Sequence, residues 1–195
     1  MIESVSMKQL QQRWKTFYGS APPVTHLLRD VISDKWLRIH SLPESKRYAE
    51  TPDEYLILLE RHNTVATEVL GSQTPCLLLV GRYAEHSEVD IHSQILPQLE
   101  SVRFALFTSL IDPTEPDLII NVWYALVVWS SNQFDNIIKA VADGNEANIL
   151  FVSLETGEAY APYDGGADLF LISCERRSQL KQQFRQWLSK YPQGL

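Results

Sequence analysis

Apolar positions along the chain fall into helically spaced stretches and alternating stretches, separated by short turns rich in Gly and Pro. Leu10, Trp14 and Phe17 recur at helical spacing, which predicts a helix over residues 4–18 that stops at Gly19. Gly19-Ser20-Ala21-Pro22-Pro23 breaks the pattern, and residues 24–31 suit a short helix. From Trp36 to Leu42 the pattern changes to strict alternation. Trp36, Arg38 and His40 share one side, Leu37 and Ile39 the other, and Pro43 ends the strand.

Thr51-Pro52-Asp53-Glu54 opens the clearest helix: Thr51 can cap, Pro52 suits the first turn and Glu54 can close a capping box. Tyr55, Leu58, Leu59, His62, Val65, Ala66 and Val69 mark its inner face, and Gly71 ends it. Cys76 to Val80 reads as a short apolar strand, and residues 84–98 as a polar loop. Val102–Ile111 and Leu118–Trp129 predict two strands about a Pro-rich turn. Residues 132–143 predict a helix with Phe134, Ile137, Ile138 and Val141 inward. A hairpin follows, Ile149–Leu154 with Ala159–Ala161. A second turn at Tyr163-Asp164-Gly165-Gly166 leads into a strand over Ala167–Ser173, with the glycines expected to supply positive φ. A helix over about 175–190 closes the chain.

Strands joined mostly by turns, with helices at the ends and flanks, point to the α+β class. The expected form is a mainly antiparallel sheet with helices packed on one face and an N-terminal helix. Residues 1–195 are expected to form a single α+β domain, with residues 1–23 able to stand off as an N-terminal helical arm.

Composition narrows the class. Of the 195 residues, 45% are hydrophobic and 21% charged, as in an ordinary folded domain. No apolar run reaches the roughly 18 residues of a membrane span, and the first segment lacks the apolar core of a secretory signal. A soluble, cytoplasmic protein is expected, with Cys76 and Cys174 as buried, reduced thiols. The net charge of −7 is uneven: residues 1–50 carry +3, residues 51–172 carry −14 and residues 173–195 carry +4. An acidic middle disfavours nucleic acid as a partner, and the basic ends are expected to complement it within the fold.

Three clusters carry candidate chemistry. Arg38, His40, Lys46 and Arg47 lie close in sequence and suit a carboxylate or phosphate; alternatively they pair with the acidic middle. His86, Asp90 and His92 have the residue types of a zinc site, but His-x3-Asp-x-His has no defined ligand geometry, and a polar surface loop is the alternative. Tyr163, Asp164 and Asp168 flank a Gly-Gly turn, where paired carboxylates can serve acid–base chemistry or simply build the turn. Asp168 opens an apolar strand and needs a partner if buried, with Arg38 or Arg103 available.

The chain lacks a phosphate-binding loop, Gly-x-Gly-x-x-Gly, a Gly-x-Ser-x-Gly elbow and Cys-x-x-Cys, so the common nucleotide, hydrolase and zinc-ribbon readings lose most of their weight and the cofactor stays unknown. Three readings stand. One is a non-catalytic binding or protein-interaction module, favoured by the exposed-type aromatics Trp36, Tyr48, Tyr83, Tyr160 and Tyr163 near polar clusters. Another is a small-anion binder or enzyme, with Arg38, His40 and Arg47 gripping the anion and Asp164 or Asp168 as base or orienting carboxylate. The third is a metal-binding protein.

Asn148-Ile149-Leu150-Phe151-Val152 through Tyr163-Asp164-Gly165-Gly166-Ala167-Asp168 to the Trp187-Leu188 helix resembles an uncharacterised bacterial family, the domain-of-unknown-function family numbered 3885. Its members carry a similar Tyr-Asp-(Asp/Gly)-(Arg/Gly)-x-Asp turn before a closing strand and helix. Here Gly165 and Gly166 stand where an Asp-Arg pair is usual. The resemblance covers the C-terminal third and implies a fold but no activity.

Overall fold

The computed structural model describes residues 5–84, 99, 102–113 and 115–188. Among the described residues, seven strands form one antiparallel sheet: β1 (Trp36–His40), β2 (Thr74–Ala84), β3 (Ala105–Ile111), β4 (Ile119–Trp129), β5 (Ile149–Ser153), β6 (Ala159–Tyr163) and β7 (Gly166–Phe170). Their spatial order is β1-β7-β6-β5-β2-β4-β3, so the first strand in sequence is an edge and pairs with the last.

Strand alternation divides the core into two layers. Cys76, Leu78, Val80, Phe151, Tyr160, Ala167 and Leu169 face one side. Three helices cover that side: α3 (Pro52–Leu70), α4 (Asp135–Ala142) and α5 (Cys174–Gln183). Leu77, Leu79, Leu150, Val152, Ala161 and Phe170 face the other. The N-terminal helix α1 (Met7–Tyr18) and the short α2 (Thr25–Val31) lie there.

The capping chemistry is as the sequence suggests. Thr51 Oγ accepts from Glu54 N, and the Glu54 carboxylate returns to Thr51 N, closing the box that starts α3. Ser6 and Gln9 make the same box at α1. That helix buries Leu10, Trp14 and Tyr18, one residue past the expected Phe17. The Tyr18 hydroxyl donates to the carbonyl of Gly157, and Arg13 Nη1 donates to Leu154 O at 3.1 Å, so α1 is tied to the β5–β6 turn.

The basic ends and the acidic middle do pair. Arg38 meets Asp168, Lys46 meets Glu54, Arg47 meets Asp164, and Arg176 meets both Glu68 and Glu158. The thiols differ from expectation. Cys76 is buried on β2, but Cys174 is exposed in the first turn of α5, and both are free. Tyr160, expected among the exposed aromatics, is fully buried, whereas Tyr48 and Tyr83 are exposed. Among the described residues no helix is long and apolar enough to cross a membrane.

A charged cavity at the edge of the sheet

Alternation along β1 puts Trp36, Arg38 and His40 on the α1–α2 side, because Leu37 and Ile39 are taken by the opposite core. Arg38 stands opposite Asp168 in the β1–β7 register. Its Nε donates to Asp168 Oδ1 at 2.8 Å and its Nη2 to Oδ2 at 2.9 Å. Trp36 Nε1 adds a third donor to Oδ1 at 2.9 Å. The Asp168 side chain is only 4% exposed, so this is the satisfied arrangement that a buried carboxylate requires. The Arg38 guanidinium lies 5.2 Å from the Trp36 ring and 4.4 Å from the Tyr163 ring. Burial works against its charge, but the hydrogen bond and charge of Asp168 outweigh burial and raise its pKa. Arg38 Nη1 has no partner among the described residues.

The second Arg–Asp pair is looser. Arg47 Nε donates to Asp164 Oδ2 at 2.9 Å, its Nη2 lies 2.7 Å from the same oxygen as an ion pair, and the Tyr48 hydroxyl joins at 3.2 Å. The Arg47 side chain is 62% exposed. Asp164 and Gly165 form the two-residue turn between β6 and β7. Neither Gly165 nor Gly166 has positive φ, contrary to expectation. Gly166 is needed for proximity instead: a Cβ there would overlap the carbonyl oxygen of Ile39 on the paired strand. A larger residue would push β1 away from β7 and separate Arg38 from Asp168.

These groups line a cavity of about 600 Å³. Arg38, His40, Arg47, Tyr163, Asp164 and Asp168 all border it, as do Thr25, His26 and Arg29 of α2 and Val141, Glu146, Ala147 and Asn148 around the α4–β5 connection. Lys46, grouped with Arg38 by sequence, does not. It pairs with Glu50 at 2.9 Å and Glu54 at 2.7 Å at the start of α3. His40 Nε2 is buried without a hydrogen-bond partner. Burial first, then the charges of Arg38 and Arg61, lower its pKa, so the imidazole is neutral. Burial pushes the Tyr163 hydroxyl up to about 12, which keeps it protonated as a donor.

Beside His40, Ser41 Oγ lies 2.7 Å from His62 Nε2, and His62 Nδ1 lies 2.6 Å from the Tyr160 hydroxyl. A serine hydrogen-bonded to a histidine has the geometry of an activated nucleophile. Here Ser41 is 1% and His62 3% exposed, and the space beside them has no room even for water. The trio ties the residue just after β1 to α3 and β6 and is architectural.

Sequence reasoning did not find Arg29, His26 or the Glu146–Asn148 segment, which are remote in sequence from the strand cluster. The one local signal was the charged end of the α2 segment. His86, Asp90 and His92 lie outside the described residues. Among the described residues no group of three potential metal ligands forms.

Fold and site together define an α+β protein with an antiparallel sheet and a mixed-charge cavity where the edge strand meets the β6–β7 turn. The chain belongs to the family described as Domain of unknown function (DUF3885), whose model matches residues 24–192. The match therefore extends well beyond the C-terminal third, from α2 through the closing helix. No curated protein and no solved structure matches the chain.

Proposed function

We propose that the cavity binds a small ligand through an anionic group, with Arg38 as its anchor. The observation that carries this reading is the state of Arg38. Asp168 fixes it through two bonds and two aromatic rings flank it, yet Nη1 is left for a ligand. A guanidinium already held in place loses little freedom on binding, which favours affinity. Arg29, Arg47, the Tyr163 hydroxyl and the histidines supply further donors around the same space. Binding is favoured over catalysis because both oxygens of Asp168 are engaged by Arg38 and Trp36. A small anion is favoured over nucleic acid, since the basic groups are largely paired within a chain of net charge −7. Two unpaired thiols, one of them exposed, support a cytoplasmic setting.

Thermal unfolding of the whole chain in phosphate and in acetate, at constant ionic strength, tests the reading. Phosphate stabilises proteins generally through exclusion from their surfaces, so the readout is the difference between wild type and variants. Site binding at about 100 times Kd stabilises by about 2.7 kcal/mol. That increment is expected in wild type and is expected to shrink in Arg38→Lys and Arg29→Gln. Equal responses in wild type and both variants would reject the site.

A second reading, a protein-interaction module, is favoured by edge strand β3, where Leu106 is 43% and Ile111 is 64% exposed. A partner adding a strand there would slow amide exchange along β3. Unchanged exchange in cell extract would count against it.

A further inference from the structure

We infer that the ligand carries an ammonium group beside its anionic one, so that the cavity suits a small zwitterion with an apolar body, of the amino-acid kind. The inference rests on the anion site proposed above and adds a second, opposite contact.

The charged residues bordering the cavity are Arg29, Arg38 and Arg47 against Glu146, Asp164 and Asp168, and each is already in an ion pair: Arg38 with Asp168, Arg47 with Asp164, Arg29 with Asp30 and Glu146 with Arg82, so the lining and its partners carry no net charge. A bare anion entering this space meets as many negative groups as positive ones. A zwitterion can meet both signs with the matching end.

The two carboxylates differ in which atoms they leave open. Asp168 has both oxygens occupied. Asp164 does not: Arg47 and Tyr48 all converge on Oδ2, and Oδ1 receives no hydrogen bond among the described residues. The cavity therefore offers an open carboxylate oxygen at Asp164 and open guanidinium N–H groups at Arg38. Tyr163 links the two places, being the chain neighbour of Asp164 and lying 4.4 Å from the Arg38 guanidinium. Val141, Ala147 and Pro162 give the cavity wall an apolar stretch, and about 600 Å³ is ample for a small organic molecule rather than a lone ion.

Calorimetric titration of the whole chain with leucine, isocaproate and isoamylamine tests this directly. Isocaproate is leucine without its amine, and isoamylamine is leucine without its carboxylate. Leucine is expected to bind about tenfold tighter than isocaproate, the effect of one charge-assisted hydrogen bond. Asp164→Asn is expected to abolish the preference for leucine over isocaproate, both measured on the same variant. Arg29→Gln is expected to weaken both alike. Because Asp164 lies at a surface turn, the Asn variant should keep the wild-type near-ultraviolet dichroism; if it does not, the wild-type ratio of leucine to isocaproate decides alone. Isocaproate binding as tightly as leucine overturns the zwitterion and leaves the anion site standing. Failure of both carboxylates to bind wild type removes both proposals.

Discussion

Arg38 and Asp168 face each other across the β1–β7 ladder, 130 residues apart in sequence, and are joined by two hydrogen bonds of 2.8 and 2.9 Å. The pair closes the edge of the sheet and sets the position of the cavity's central guanidinium.

Breaking the pair from one side leaves a buried charge without compensation. Arg38→Ala leaves Asp168 with only the Trp36 donor, and the expected loss is about 3–5 kcal/mol in urea unfolding. Arg38→Lys should lose less, because an ammonium can make one contact but not the fork. Replacing both residues with leucine should recover much of the stability while abolishing anion binding. A stable Arg38→Ala variant would mean that the pair is not what holds β1 in place.

Gly166 and Gly165 should respond differently to the same methyl group. At Gly166 the new atom meets the backbone carbonyl of Ile39, which cannot move without displacing β1; Ala there should cost about 1–3 kcal/mol or more. At Gly165 the nearest atoms are side-chain atoms, Tyr163 Cε2 at 3.0 Å and Arg47 Cγ at 3.4 Å. Gly165→Ala should stay near wild-type stability and alter ligand response instead. Equal melting temperatures for the two variants would contradict the close approach.

His62 ties stability to pH. Burial lowers its pKa from 6.5 to about 3 in the folded chain. Between those values the unfolded chain takes up a proton that the folded chain refuses. The His62 contribution is therefore full above about pH 6.5 and is lost as pH falls toward about 3, at up to about 1.4 kcal/mol per pH unit. Glu158 acts in the opposite sense, since burial raises its folded pKa despite Arg176, and the folded form protonates first. Comparison with His62→Gln isolates the histidine: the variant should be less stable at neutral pH and show a flatter decline on acidification. Parallel pH curves would rule out His62 as the source.

The two thiols should react in two separate steps. Cys174 is exposed, whereas Cys76 is fully buried, with burial pushing its pKa up to about 12. A thiol reagent should modify one group in the folded protein and the second only in denaturant. Cys174→Ser should remove the fast step alone. Two thiols reacting at once in native buffer would mean that β2 opens readily.

Much of the fold was legible because it is written in local patterns. The Thr51–Glu54 box and the apolar stripe from Leu58 to Val69 define α3 without reference to the rest of the chain. The alternation from Trp36 to His40 identified both β1 and the face that carries Arg38. Asp168 at the head of an apolar strand announced its need for a cation, and Arg38 proved to be that cation. The glycines of the β6–β7 turn were misread because a Gly-Gly pair signals positive φ as readily as close approach, and only the neighbouring strand distinguishes them.

By itself the sequence determined the elements and the uneven charge that its own ion pairs then neutralise, whereas the burial of the central strands on both faces emerged only in the fold. Capping, periodicity and turn chemistry act over a few residues, so they can be read from a few residues. The site was decided by tertiary structure. Lys46 stands one residue from Arg47, yet it turns to Glu50 and Glu54 and leaves the cavity. Arg29 and Asn148, remote from Arg38 in sequence, border it. Placing β1 beside β7 and laying α2 over that edge are long-range packing choices, governed by which apolar faces fit together. No local pattern encodes which distant segments those faces will carry into contact.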